Sequence, residues 1–102
     1  MDILRVSSFW RDLKSMIDYF DDVHAEAAAL RFLDALDETV DFIREFPDLG
    51  NPWESSKPRH AGLRFRLVKD FENYVVLYRR DDLRVFVLRI LHGGRDIEGL
   101  LS

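Results

Sequence analysis

The side chains best suited to chemistry in this chain are three isolated histidines and a set of basic residues in its second half. His24, His60 and His92 lack the close spacing of shared metal ligands, so we expect no metal site and no cofactor. The glycine pair after His92 lacks the further glycines and the lysine of a phosphate-binding loop. The serines do not lie at a strand-to-helix elbow, so nothing indicates a serine nucleophile.

The basic set comprises Lys57, Arg59, His60, Arg64, Arg66, Lys69, Arg89, His92 and Arg95. Fixed cations beside a histidine suit a phosphodiester, because they neutralise its charge while the histidine moves a proton during 2′-hydroxyl attack. On a regular strand, Arg89 and His92 point to opposite faces unless a bulge intervenes. The alternative is structural. Arg64 and Arg66 would then form a solvated strand face, and Arg89 would stack on Tyr74 or pair with a helix carboxylate.

The charge of the chain is unevenly distributed. The net charge is −4 over 102 residues, but residues 1–56 hold 13 acidic and 5 basic side chains, whereas residues 57–102 hold 6 and 10. This split predicts two surfaces with different partners, or alternatively charge balance within one fold. With no cysteine, no signal-peptide pattern and no apolar run near the ~20 residues of a membrane span, we expect one cytoplasmic domain without membrane contact.

Two helices are predicted in the first half. Residues 3–6 predict an edge strand, after which Ser7 and Ser8 offer a helix N-cap. Apolar residues at helical spacing predict one helix over residues 9–20 and a second over residues 25–43. Small alanines at the start of the second helix would let the two approach closely as an antiparallel hairpin.

The period then changes to two, which is typical of strands. Residues 63–67 predict a half-buried strand with its arginines on one side, and residues 74–80 a second strand after a turn at 70–73. Residues 83–97 hold the longest apolar run, which predicts a central strand covered on both faces up to the glycine pair. A two-residue loop would place Tyr78 opposite Val85.

After the glycine pair, Asp96 can cap a short last helix over residues 97–101. The order of elements predicts an α+β fold, in which the helical hairpin packs on one face of a small, twisted, mainly antiparallel sheet. Several apolar residues of the hairpin fall off its core-facing stripes, namely Tyr19, Phe20, Leu30, Leu33 and Phe42. Helices that are apolar nearly all round need a further partner, so we expect an obligate protein partner.

Over almost its whole length the chain resembles toxins of the RelE/ParE superfamily of type II toxin–antitoxin systems, and it is nearer to the ParE branch. The residues that carry the resemblance are Ala27-Ala28, Arg31-Phe32, Ala35-Leu36, Phe46-Pro47-Asp48-Leu49-Gly50, Gly62-Leu63-Arg64 and residues 74–79 and 88–97. The resemblance implies a single ParE/RelE-like toxin domain over residues 1–102. It also implies a cognate ParD-like antitoxin that wraps around the toxin in a hetero-oligomer and makes any DNA contact itself.

Two activities occur among these relatives. ParE-like toxins block DNA gyrase and have no catalytic residues of their own, whereas RelE-like toxins cut mRNA on the ribosome with strand arginines and a C-terminal histidine. If the chain cuts mRNA, the catalytic residues would be Arg64, Arg66, Arg89 and His92. Nothing aromatic follows His92, however, and a pI near 5.3 is low for a ribosome binder, so the gyrase hypothesis is favoured. A toxin-like domain that only binds a partner is a third hypothesis.

The gyrase hypothesis assigns roles to two groups of residues. The antitoxin would bind Tyr19, Phe20, Leu30, Leu33, Arg64, Arg66, Tyr78 and Arg89. The target would be contacted by His92, Arg95 and Ile97 near the end of the chain. We expect an amphipathic helix or strand of the antitoxin against the hairpin and sheet, with acidic residues meeting the basic half.

Overall fold

Two helices lie on one face of a five-stranded sheet in the computed structural model, which describes residues 1–93. The elements are β1 (Asp2–Arg5), α1 (Ser7–Asp22), α2 (Glu26–Glu45), β2 (Asn51–Pro52), a 3₁₀ turn (Pro58–His60), β3 (Arg64–Val68), β4 (Phe71–Arg80) and β5 (Arg84–His92). The strand order is β1-β5-β4-β3-β2, with β1 parallel to β5 and every other pair antiparallel.

This arrangement confirms the predicted α+β fold, a helical hairpin on a mainly antiparallel sheet. The strand predicted over residues 3–6 is the edge strand β1. The predicted last helix over residues 97–101 lies outside the described residues. Within residues 1–93, no helix is both long and apolar enough to cross a membrane.

The core lies between the helices and the sheet. Val85, Val87 and Ile90 of β5 alternate toward the helices, where they meet buried Phe9 of α1 and Phe32 of α2. A second apolar cluster covers the opposite face of the sheet, where Leu63, Val75, Leu77 and Leu91 pack beneath Trp53. Each of these large side chains contributes about 1.5–3 kcal/mol by burial. The strand β5 is therefore internal and covered on both faces, as its sequence predicts.

The predicted register of the last hairpin is wrong. Tyr78 pairs with Val87 rather than Val85, because Arg80 pairs with Val85, so that four residues, 81–84, lie between the first paired residues instead of two. The Asp81 carboxylate closes this longer loop by accepting the backbone N–H groups of Leu83 and Arg84 at 2.8 and 2.7 Å. These bonds lower the pKa of Asp81 below its usual range.

A bulge at Leu88 shifts the register once more along β5. Tyr78 pairs with Val87 but Leu77 with Arg89, so Leu88 has no partner residue on β4. The predicted cap at Ser7 and Ser8 is also not found, since the helix begins without a side-chain cap. The Ser8 hydroxyl instead donates to the Leu88 carbonyl at 2.6 Å, because α1 runs beside β5 where β1 has ended.

The turn between β3 and β4 is shorter than predicted. Only Lys69 and Asp70 separate the two strands, so β4 begins at Phe71 rather than at residue 74. Asp70 has a φ of +64°, a conformation that aspartate tolerates better than most residues. The Lys69 N–H group donates to the Thr39 hydroxyl of α2 at 3.2 Å, which ties this turn to the helix.

Candidate functional site

Arg89 is held by a carboxylate of α1. Its Nε and Nη2 donate to the two oxygens of Asp12 at 2.7 and 3.1 Å, and the Ile90 N–H group donates to the same carboxylate at 2.9 Å. The bond to Asp12 raises the pKa of Arg89, so the guanidinium keeps its charge. Of the two structural roles considered for Arg89, stacking or pairing with a helix carboxylate, the structure has the ion pair.

Arg64 and Arg66 lie beneath the end of α2 and not on a solvated strand face. Arg64 Nη1 donates to the Gly50 carbonyl at 2.8 Å, and the Arg66 guanidinium carbon lies 3.7 Å from the centre of the Phe42 ring. Both arginines are half-buried. Their environment depends on the segment after α2, which turns back over β3 and brings the Gly50 carbonyl with it.

Tyr78 anchors that same segment. Its hydroxyl donates to the Pro47 carbonyl at 2.8 Å, and its side chain is completely buried. Burial raises the pKa of Tyr78, so the phenol stays protonated and able to donate. Any Cβ on residue 50 would clash with this hydroxyl, which explains the glycine there. The Tyr78 side chain therefore offers no surface to a partner.

His92 and Arg66 pack on different aromatic side chains. The His92 ring packs edge-on against Tyr74, with 5.0 Å between ring centres, and Tyr74 packs on Phe32 of α2. Arg66 instead stacks on Phe42, ten residues and about 15 Å further along the helix. The bulge at Leu88 precedes both Arg89 and His92, so it does not turn them to a common face. The four candidate catalytic residues are not brought together.

His60 lies in the 3₁₀ turn before β3. His60 is buried, and its Nδ1 lies 2.8 Å from the Ser55 hydroxyl. Within residues 1–93, no group of three or more His, Cys, Asp or Glu side chains could hold a metal ion. The remaining candidates, Arg95 and Ile97, lie outside the described residues.

The helical hairpin leaves large apolar side chains in solvent. Tyr19 is 58% and Leu30 is 65% exposed, while Phe20 and Leu33 are half-buried. Trp10, at 54% exposed, was missed in the sequence analysis. Its position held a signal, because Trp10 lies ~100° around the helix from the core residue Phe9 and outside the apolar stripe of α1. Exposed apolar side chains of this size are typical of a protein-binding surface.

A groove of about 540 Å³ runs between α2 and β3, and we call it the α2–β3 groove. Thr39 and Phe42 line it from the helix, Arg66 and Lys69 from the strand and turn, and Glu72 from the start of β4. The Lys69 ammonium group bridges the groove to Glu38 of α2 at 3.0 Å. The groove therefore has charged walls and an aromatic floor.

Comparison with known proteins agrees with this architecture. The family model for the ParE toxin of the type II toxin–antitoxin system parDE matches residues 6–97, so the chain belongs to this family. The fold is similar to a chain of the chromosomal ParDE TA system from P. aeruginosa, with a TM-score of 0.72, 18% identity, and coverage of 90% of this chain and 95% of that one.

A second similar structure is a YoeB/ParE toxin from Agrobacterium tumefaciens, with a TM-score of 0.59 and 17% identity. The match covers 90% of this chain and 98% of that one. No curated protein sequence is similar enough to the chain to count as a match. At these identities the two structures support the fold, and the family assignment rests on the family model.

Proposed function

We propose that this ParE-family toxin inhibits DNA gyrase, and so DNA replication, in the bacterial cytoplasm. The supporting observation is that the residues of the alternative nuclease site are dispersed. Arg64 and Arg89 are bonded to other protein groups, Arg66 stacks on Phe42 of α2, and His92 packs on Tyr74 of β4. A nuclease needs its cations and its proton donor around one phosphate, and residues 1–93 contain no such arrangement of these four side chains.

The toxin is held inactive by a ParD-like antitoxin that binds it directly in a hetero-oligomer and makes any DNA contact. The apolar side chains that the hairpin leaves exposed support such a partner, because its binding would remove them from water. The proposed surface comprises Trp10, Tyr19, Phe20, Leu30 and Leu33 of the hairpin, with Arg64, Arg66 and Arg89 of the sheet. Tyr78 is left out because it is buried.

His92 is the proposed contact with the target, together with Arg95 and Ile97. It lies at the end of β5, partly exposed, and its ring is oriented by edge-on packing against Tyr74. An oriented ring at the end of a strand can contact a partner at little cost in side-chain entropy.

The first test is expression of the toxin without antitoxin, with DNA and protein synthesis followed separately by incorporation of labelled precursors. We expect DNA synthesis to stop first, with filamentation, and purified toxin to inhibit gyrase supercoiling. An earlier stop in protein synthesis, with mRNA cut at ribosome-bound codons, would instead establish the nuclease alternative. Normal growth would indicate a domain that only binds its partner.

The substitution Arg66→Ala separates the two activities further. A gyrase inhibitor of the kind proposed keeps its toxicity, because Arg66 is not among the proposed target contacts. A nuclease would lose most of it, since an arginine on the scissile phosphate contributes about 10²-fold or more to the rate. The measurement is colony survival after induction without antitoxin, with circular dichroism as the check of folding. Arg84→Ala is the matched control, since Arg84 also lies near a phenylalanine ring but on β5.

A further inference from the structure

The guanidinium of Arg66 is held in place but has no acceptor within residues 1–93. It stacks 3.7 Å from the centre of the Phe42 ring and is half-buried at the side of the α2–β3 groove. Arg64 and Arg89, by contrast, each donate to a protein oxygen. No acceptor lies within hydrogen-bond distance of the Arg66 side chain anywhere in residues 1–93. A stacked, planar cation with its donors unused is suited to a carboxylate, which it can bind through two parallel bonds.

The strand that carries Arg66, β3, also has an open edge. The pairing of β2 with β3 ends at Phe65, and the outward N–H group of Lys69 is used by Thr39. Successive residues of a strand direct their backbone groups to alternate sides. The N–H and C=O groups of Leu67, between Phe65 and Lys69, therefore point away from β4, where the described part of the chain places no strand. An extended peptide can add to such an edge through backbone bonds while its side chains enter the neighbouring groove.

The α2–β3 groove carries charges of both signs beside apolar side chains. Arg66 lies on β3, Asp70 in the turn that follows this strand, and Glu72 near the start of β4. Its bridging ion pair, Lys69 with Glu38, is largely exposed and so contributes little to stability. This pattern of charge fits an extended segment that carries a carboxylate beside Arg66 and a cation further along the groove.

We propose that the α2–β3 groove binds an extended segment of the antitoxin, which places an Asp or Glu carboxylate on Arg66 and a Lys or Arg beside Asp70 and Glu72. This rests on the proposed function, in which an antitoxin binds the toxin directly. The groove does not suit a nucleic acid equally well, because Glu38, Asp70 and Glu72 on its walls repel a phosphate backbone.

The test measures the dissociation constant of purified toxin and its antitoxin by calorimetry for the wild-type toxin and four variants. We expect Arg66→Ala to weaken binding by about 10–100-fold, because the partner carboxylate is left buried without its cation. Arg66→Lys, which keeps the charge but loses the planar fork, weakens it by about tenfold. The control Arg84→Ala changes it by less than about twofold. A charge exchange, Arg66→Glu with an acidic antitoxin residue changed to Arg, restores binding.

Each other outcome has a defined meaning. Binding of Arg66→Ala within about threefold of the wild type overturns the groove proposal and leaves the toxin–antitoxin assignment intact. Failure of the wild-type toxin to bind any antitoxin refutes the proposed function itself. If Arg66→Ala binds antitoxin normally but loses affinity for a single-stranded RNA oligonucleotide, the groove binds nucleic acid and the proposal is wrong. Thermal melts of every variant confirm that folding is preserved.

Discussion

The contact between α1 and β5 depends on Asp12. Its carboxylate accepts two bonds from Arg89 and one from the Ile90 N–H group, so its oxygens are well satisfied although the residue is only 16% exposed. A partly buried ion pair repays its desolvation only when such additional bonds are present. A helix carboxylate is one of the predicted partners of Arg89, but helical periodicity alone does not say which of the acidic residues of α1 reaches it.

Removing this carboxylate should be costly. In Asp12→Ala, the Arg89 charge and the Ile90 N–H group lose their acceptor in a partly buried position. We expect the free energy of unfolding to fall by about 2–4 kcal/mol, measured by urea denaturation. The matched control is Asp18→Ala, which breaks the exposed pair with Lys14 and should cost less than about 0.5 kcal/mol. Equal losses in the two variants would show that the contact of Asp12 with Arg89 and Ile90 does not stabilise the fold.

The segment after α2 is the element that shapes the arginine side of the molecule. Tyr78 fixes it through the Pro47 carbonyl and Arg64 through the Gly50 carbonyl, from two neighbouring strands. With the segment in this position, Arg66 is left next to Phe42 and beside an open strand edge. The Arg66 site is therefore a product of the loop and not of β3 alone.

Gly50→Ala tests the fit of this segment. The added methyl group meets the Tyr78 hydroxyl, and we expect a loss of about 1–3 kcal/mol in the free energy of unfolding, measured by urea denaturation. Tyr78→Phe removes the nearest clashing atom, so the double variant should be more stable than the sum of the two single losses predicts. Simple additivity would show that the segment relaxes away from Tyr78.

The sequence predicts the elements better than their contacts. Helical spacing and alternation locate both helices and β3, because each has one clear apolar face, and the long apolar run locates β5. The register of the last hairpin could not be predicted, since it depends on the Asp81 carboxylate and on the bulge at Leu88. The surroundings of Arg66 could not be predicted either, because they are formed by a loop without periodicity.

At the scale of the whole molecule, the two halves of the sequence form two layers. Residues 1–56, with most of the acidic side chains, supply both helices, and residues 57–93 supply the three long strands. The exposed side of α2 carries Asp34, Asp37, Glu38 and Asp41. The charge split therefore follows the layers, which is consistent with the predicted pair of surfaces.

The hairpin surface gives a prediction at this scale. Leu30→Asp should weaken antitoxin binding by about tenfold or more, because a charge would enter an apolar contact. Its stability should be unchanged, since Leu30 is exposed in the free toxin. Binding is measured by calorimetry and stability by thermal melts. Leu83→Asp, at a 75% exposed position in the loop before β5, is the control and should bind normally.

The parallel pairing of the first strand with the last has a consequence for synthesis on the ribosome. Asp2 pairs with Arg84, and Asp12 is bonded to Arg89, so both contacts close loops of nearly eighty residues or more. The N-terminal strand and α1 therefore have nowhere to dock until β5 has left the exit tunnel. A nascent chain therefore cannot complete the fold of residues 1–93 before β5 has been translated.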